Sequence, residues 1–478
     1  MQIIDFLIFI FYMTLVFLVG AYFFRKNKSD EDYYVGGRKM SPSHIGLSVV
    51  ATDVGGGFSI GLGGLGYVMG LSGSWLLFTG LIGAWLSAVL IIPKIKKIDK
   101  QQNMLSYPDF LRFKYNDKVA LIAAIISGIG YMGFTGGQIL AGAKLSAATL
   151  FKDIPIEMDP MLFSLLIIAG VILIYTVLGG LKAVVYTDTI QWIILLSGLI
   201  FFAIPFTLIE VGGISGLQEN LPDGFLTLTN LRAIDLINWI ITIVPVWFIA
   251  MTLYQRMFAC RNEKEAKKAW YIAGVFEWPI MAFTGVFLGM ASRIFFPEID
   301  SEMGLPMLLQ DILPTVIKGI VVAAYFSAIM STADSCLIAS SGNFVNDIIG
   351  KYFFKTKDDK KLIRLSQIAT LVIGIITILI AISFETVLDI ILHTYSFMVA
   401  GLLVPTVMAY FAKPKYHSPV SAMISMLSGG GVALFLILSG YEMPYELHPS
   451  FYGIFTSLIM FFLVYFLQSK KREDVKNA

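Results

Sequence analysis

Cysteine, histidine and charge are all scarce in this chain of 478 residues. Its two cysteines, Cys260 and Cys336, provide neither a disulfide framework nor metal-ligand spacing. The four histidines, His44, His393, His417 and His448, form no HxxxH pair, and no DDxxD or Ser–His spacing occurs. These absences argue against a zinc or haem protein and against an integral-membrane enzyme. No enzyme activity and no organic cofactor are expected. Charged residues make up only 14% of the chain, where a soluble domain carries about 25%. No basic region precedes the first apolar run and no small-residue cleavage site follows it, so that run is not read as a signal peptide.

What fills the chain is hydrophobic sequence, 57% of residues, with a mean hydropathy of +0.77. Runs long enough to span a bilayer cover 3–24, 42–70, 73–93, 119–149, 161–179, 185–210, 234–258, 269–293, 306–347, 362–383, 386–411, 418–440 and 450–468. The fold class expected is therefore an all-α polytopic membrane protein with about thirteen helices, forming one transporter domain over 1–478. Lys and Arg concentrate in alternate gaps: 25–39, 94–118, Lys182, 256–268, 351–364 and Lys413/Lys415, together with the tail. The other gaps hold little beyond Lys152, Arg232 and Arg293. By the positive-inside rule the N-terminus lies outside and the C-terminus in the cytoplasm. These basic loops are read as topology and headgroup contacts. No nucleic-acid partner is expected, and the localisation is the cell membrane.

Polar groups inside these runs are the functional signal. In the ninth run Ala328, Ser331, Thr332 and Ser335 fall at i, i+3, i+4 and i+7, so their oxygens share one helical face beside Asp334. A carboxylate at the bilayer centre costs roughly 2.5–3.5 kcal/mol on an insertion scale, which a bound cation or proton offsets. Hydroxyl and carbonyl oxygens suit a hard cation such as sodium. In the second run, Gly55, Gly56 and Gly57 follow Asp53 directly. Glycines cost about 1 kcal/mol each in a helix. Either the helix unwinds there to free carbonyls at a binding site, or small residues permit close packing.

Asp188 is either a helix-entry acid or part of an ion path. Glu277 beside Trp278-Pro279 marks a kink, and Lys144 lies inside the fourth run; each is read as a paired or solvated structural charge or as a functional one. Trp247, Tyr254 and Gln255 line a solute cavity or serve as ordinary core and belt residues.

Several of these motifs resemble the sodium:solute symporter family. Asp32-Tyr-Tyr-Val-Gly-Gly-Arg38 is similar to the family's loop after the first helix, and Ala51-Thr-Asp-Val-Gly-Gly-Gly57 to its broken helix. Leu178-Gly-Gly180 with Thr187-Asp-Thr-Ile-Gln191 resembles the sixth-helix signature, and Ala328-Ile-Met-Ser-Thr-Ala-Asp-Ser335 the ninth. Tyr254-Gln-Arg256 matches the family's close to the seventh helix.

The resemblance implies a LeuT-like core of two inverted five-helix repeats, 42–210 and 234–411, with helix 1 and 418–468 peripheral. It implies a sodium site made by the carbonyls of Ala51, Val54 and Ala328 and the hydroxyls of Ser331 and Thr332. It further implies a second sodium site or ion path at Asp188, Asp334 and Ser335. Asp53, Gly55, Gly56, Trp247, Tyr254 and Gln255 then belong to the coupling and solute region.

The expected function is sodium-coupled symport of a small organic solute by alternating access, an amino acid or related zwitterion or carboxylate being favoured. The alternative is a solute sensor or passive channel with the same fold. The expected partners are sodium, the solute and the lipid bilayer, and a functional monomer is expected.

Overall fold

A computed structural model describes residues 1–24, 35–152, 157–178, 181–352, 359–441 and 443–477. The helices that matter for the site are α1 (Ile3–Phe24), α2 (Pro42–Asp53), α3 (Gly55–Met69), α4 (Trp75–Leu90), α5 (Asp117–Ala148), α6 (Pro160–Leu178) and α7 (Leu181–Gly198). They continue with α8 (Ala233–Ile243), α9 (Met251–Ala259), α10 (Glu263–Val275), α11 (Ala282–Phe295), α12 (Ser301–Ile312) and α13 (Ile317–Gly342). The chain closes with α14 (Asp359–Ile382), α15 (Val387–Phe411), α16 (Pro419–Ser439) and α17 (Pro449–Asn477). Among the described residues nine helical stretches are long and apolar enough to cross a membrane. The count is ten if Ala233–Ile249 and Met251–Ala259, bent by 44°, form one span. The Gly179-Gly180 turn and the Asp32–Tyr–Tyr34 part of the first loop motif lie outside the described residues, as does much of the basic gap 351–364.

Helix starts follow the sequence closely. Ser41 accepts the His44 amide with Pro42 at the first helical position of α2, and Asn116 and Thr386 cap α5 and α15 in the same way. Each satisfies an amide that the helix itself leaves unpaired.

Breaks inside the apolar runs were less legible. The run expected over 306–347 is two helices, because Pro314 has no amide to donate and restricts Leu313 to extended backbone (φ −73°, ψ 133°). The Val316 amide at the entry to α13 is held by Asp5 Oδ1 of α1 at 2.7 Å. The run 234–258 also breaks, at Ala250 (φ −69°, ψ 117°), after the short turn Val246–Ile249.

Helix α13 is the axis of the fold and is buried without interruption from Val321 to Gly342. It packs against α1, α5 and α7 and also touches α2 and α3. Helices α14 and α17 instead expose Leu371, Ile375, Leu379, Leu463 and Phe466. Outward apolar faces around a polar-lined centre are the inverse of a water-soluble bundle, as a bilayer requires.

Candidate functional site

Two half-helices meet where the glycines are. Helix α2 stops at Asp53 and α3 begins at Gly55, whose φ of +53° is the left-handed conformation that only glycine adopts at little cost. The Gly57 amide, whose helical acceptor would be Asp53, donates to Gln138 Oε1 of α5 at 2.9 Å. The glycines also permit close approach. A Cβ at Gly55 would stand 2.3 Å from Thr332 Oγ1, and one at Gly56 would stand 1.9 Å from Ile329 Cγ1. Unwinding and close packing thus occur together.

That approach brings α13 against the freed carbonyls. Thr332 Oγ1 lies 2.7 Å from the Ala51 carbonyl oxygen and 3.0 Å from that of Ala328. Ser331 Oγ lies 3.0 Å from the same Ala328 oxygen. Two carbonyls and two hydroxyls therefore converge from the C-terminal end of α2 and the middle of α13. Their donor chemistry is all oxygen and uncharged, which fits a hard monovalent cation. Val54 sits at the break, and its carbonyl accepts the Phe58 amide at 3.0 Å.

A half-helix break facing a hydroxyl ladder at the centre of a membrane bundle is the arrangement of an ion-coupled carrier. The sequence model of the sodium:solute symporter family matches residues 33–429. The chain belongs to the sodium:solute symporter family. The symporter is 27% identical to the high-affinity proline transporter of Bacillus subtilis, over 96% of this chain and 97% of that one. It is equally 27% identical to the sodium/pantothenate symporter of Haemophilus influenzae, over 97% and 95%.

Among solved structures, a substrate-bound outward-open sodium-coupled sialic acid symporter superposes with a TM-score of 0.78. It is 20% identical and covers 98% of each chain. Mhp1, a nucleobase-cation-symport-1 family transporter, gives a TM-score of 0.57 at 12% identity, over 92% and 94%. These two share the all-helical, LeuT-like architecture. The symporter is thus a multi-pass membrane carrier that couples solute import to sodium, and its relatives are transporters, not enzymes.

The second group of sequence candidates is arranged around a residue that the motif reading left without a role. Arg256 is completely buried, and its guanidinium donates to Ser48 Oγ at 3.0 Å, to Ser335 Oγ at 3.0 Å, to the Thr252 carbonyl at 3.2 Å and to Thr52 Oγ1. It stands 3.6 Å from Asp188 Oδ2, which also accepts the Ser48 hydroxyl. Asp188 and Ser335 are brought together, but through a tethered cation. Asp334 points elsewhere, accepting the Thr176 hydroxyl of α6.

Of the remaining candidates, Asp53 lies at the break with Tyr395 Oη 3.5 Å from its Oδ1, beside the stacked rings of Phe134 and Tyr395. Trp247 packs against Gly83 of α4, where a Cβ would meet its ring at 2.3 Å. Tyr254 turns away into a cluster with Tyr107, Phe110 and Tyr410, donating to or accepting from Tyr410 Oη at 2.8 Å. Gln255 is buried, and its Nε2 has no partner among the described residues.

Lys144 is resolved as a paired charge. Its Nζ meets Asp300 at 2.7 Å and Glu302 at 2.8 Å, and Glu302 in turn accepts the first amides of α15, Val387 and Leu388. Gln138 and Tyr395 carried no sequence signal, since each is one polar group in an apolar helix and becomes visible only by what it faces.

Proposed function

We propose that the symporter binds one sodium ion among Ala51, Val54, Ala328, Ser331 and Thr332, and a small organic solute beside the break at Asp53, Gly55 and Gly56. The observation that carries this reading is Thr332 Oγ1 spanning the Ala51 and Ala328 carbonyls at 2.7 and 3.0 Å. A cation at this point ties α2 to α13 and so favours whichever arrangement of the carrier keeps them together, a shift of population by differential affinity. An inward sodium ion gains roughly 2.3 kcal/mol per 100 mV of membrane potential, and this energy drives accumulation of the solute.

The solute class favoured is an amino acid or related zwitterion or carboxylate. An acid at the half-helix break supports it, as does the overall similarity to a proline carrier and a pantothenate carrier. Trp247, Tyr254 and Gln255 are assigned to the wider coupling and solute region. Asp188, Asp334 and Ser335 form the inward ion path, with Arg256 as its fixed charge.

The architecture proposed has thirteen spans in one domain over 1–478, the N-terminus outside and the C-terminus in the cytoplasm, working as a monomer in the lipid bilayer. Loop charge supports the orientation. Two breaks support repeats over 42–210 and 234–411: each repeat opens with an interrupted helix, at Gly55 and at Ala250. The deciding experiment is solute uptake into proteoliposomes driven by an imposed sodium gradient. Uptake that persists unchanged with potassium in place of sodium overturns the reading.

A further inference from the structure

One pair of buried acids is absorbed neither by the sodium site nor by any ion pair. Glu277 follows α10 in a wide turn, Phe276–Met281, where Trp278 leaves helical geometry (φ −139°, ψ 121°) and redirects the chain into α11. Its carboxyl group is completely buried and faces the carboxyl group of Asp53 at the end of α2, which the turn packs against. Both Glu277 oxygens are shielded from solvent, and among the described residues they meet no hydrogen-bond donor other than the facing Asp53 carboxyl group. The space is made by the opposite wall, since a Cβ at Gly80 of α4 would stand 2.1 Å from Glu277 Oε2. Asp53 receives only the long contact from Tyr395 Oη, at 3.5 Å.

The contrast with the other buried charges is informative. Asp188 has Arg256, and Glu302 has Lys144 together with two backbone amides. Among the described residues no Lys, Arg or His forms an ion pair with Asp53 or Glu277. Two carboxylates that face each other without a counter-charge cannot both stay ionised, so the pair must hold a proton or a cation. An ionisable residue inside a membrane bundle that has no protein partner is best explained by a ligand that supplies one.

We propose that Asp53 and Glu277 form a binding site for one monovalent cationic group, separate from the carbonyl and hydroxyl site at Ala51 and Thr332. The site takes either the ammonium group of the solute or a second sodium ion; both neutralise the same charge. Asp53 shares the α2 break with the Ala51 carbonyl, so filling one site organises the backbone of the other. The pair lies beside the Phe134 and Tyr395 rings, which offer an apolar wall to the carbon skeleton of an amine. This inference rests on the proposed sodium site only for its separateness, and the test keeps the two distinct.

The test measures equilibrium binding of radiolabelled sodium to the purified full chain in detergent, for wild type, Glu277→Gln, Asp53→Asn and Thr332→Ala, and for each carboxamide variant combined with Thr332→Ala. It is paired with thermal unfolding in saturating sodium with and without methylammonium. If the second occupant is sodium, wild type binds two ions and both carboxamide variants bind one, still with Thr332-dependent affinity. If it is an ammonium group, all three bind one ion, and methylammonium raises the unfolding midpoint of wild type by about 2 °C or more while leaving Glu277→Gln unmoved. Retained Thr332-dependent sodium binding shows that the carboxamide variants are folded. Equal sodium stoichiometry together with a methylammonium shift that is absent, or equal in wild type and Glu277→Gln, overturns the inference. Sodium binding insensitive to Thr332→Ala overturns the proposed sodium site instead, whatever Glu277 does.

Discussion

The Arg256 guanidinium lies 3.0 Å from Ser335 Oγ and 3.6 Å from Asp188 Oδ2, so a positive charge of the protein itself occupies the space between two residues expected to hold a sodium ion. A fixed cation and a mobile one compete for the same oxygens. While the guanidinium stands there, a second cation beside Asp188 and Ser335 would be repelled. The Ser331 and Thr332 hydroxyls remain directed at carbonyls and not at Arg256.

Replacing Arg256 by Gln is expected to destabilise the symporter strongly, because Asp188 is left buried without its counter-charge, a loss of about 3–5 kcal/mol in typical cases. The double variant Arg256→Gln with Asp188→Asn should recover a large part of that loss. Thermal unfolding of the four proteins in detergent measures the coupling, and strictly additive effects would show that the pair does not act as a unit.

Thr332→Ala is expected to raise the sodium concentration for half-maximal uptake by roughly tenfold, since a lost hydrogen bond or ligand of this kind is worth about 1–1.5 kcal/mol. Thr332→Ser keeps the oxygen and should fall close to wild type. Ser331→Ala should shift the same parameter in the same direction, by several-fold. Sodium titration of uptake at fixed solute distinguishes these outcomes from a general loss of carrier.

Gly56→Val is expected to abolish uptake while the protein still reaches the membrane. Even the first added carbon would stand 1.9 Å from Ile329 Cγ1 and 2.9 Å from the Ile329 backbone, so α3 must move off α13 and the carbonyls off Thr332. Gly431→Ala offers the control, because its Cβ would meet nothing within 4 Å. Surface labelling with uptake, side by side, checks both.

Lys144→Met is expected to lower the unfolding midpoint by several degrees, because Glu302 loses its charge partner while remaining buried. Glu302→Gln should cost less, since a carboxamide oxygen can still accept the Val387 or Leu388 amide at the start of α15. Equal melting of both variants and wild type would contradict the reading of Lys144 as the charge partner of Glu302.

His448, in the loop before α17, provides a pH test. Burial and then the nearby charge of His393 push its imidazole down to about 4, from about 6.5 in an unfolded chain. The folded state therefore binds fewer protons than the unfolded state between these values, and stability must fall as pH drops from about 6.5 to 4. Melting curves of wild type across that window should slope more steeply than those of His448→Gln.

The sequence by itself determined the all-helical membrane class, most helix ends and the family, while nine or ten spans among the described residues stand against the thirteen runs it suggested. Apolar runs must form helices to satisfy their amides in lipid, and caps such as Ser41 and Asn116 act within one turn. It also determined the hydroxyl face of α13, because helical spacing alone puts Ser331, Thr332 and Ser335 together. Two breaks were hidden in the sequence: Ala250 carries no glycine signal, and Pro314 was read through as part of a continuous run.

What only the tertiary structure decided is which polar groups meet. Arg256 reads in sequence as the last charge of a motif, Glu277 as a kink residue and Gln138 as one amide among apolar neighbours. Each gains its meaning from a residue more than 75 positions away: Arg256 from Ser335, Glu277 from Asp53 and Gln138 from Gly57. The physical reason is that burial cost is set by the partner, and partners across a helical bundle leave no periodic trace in the chain.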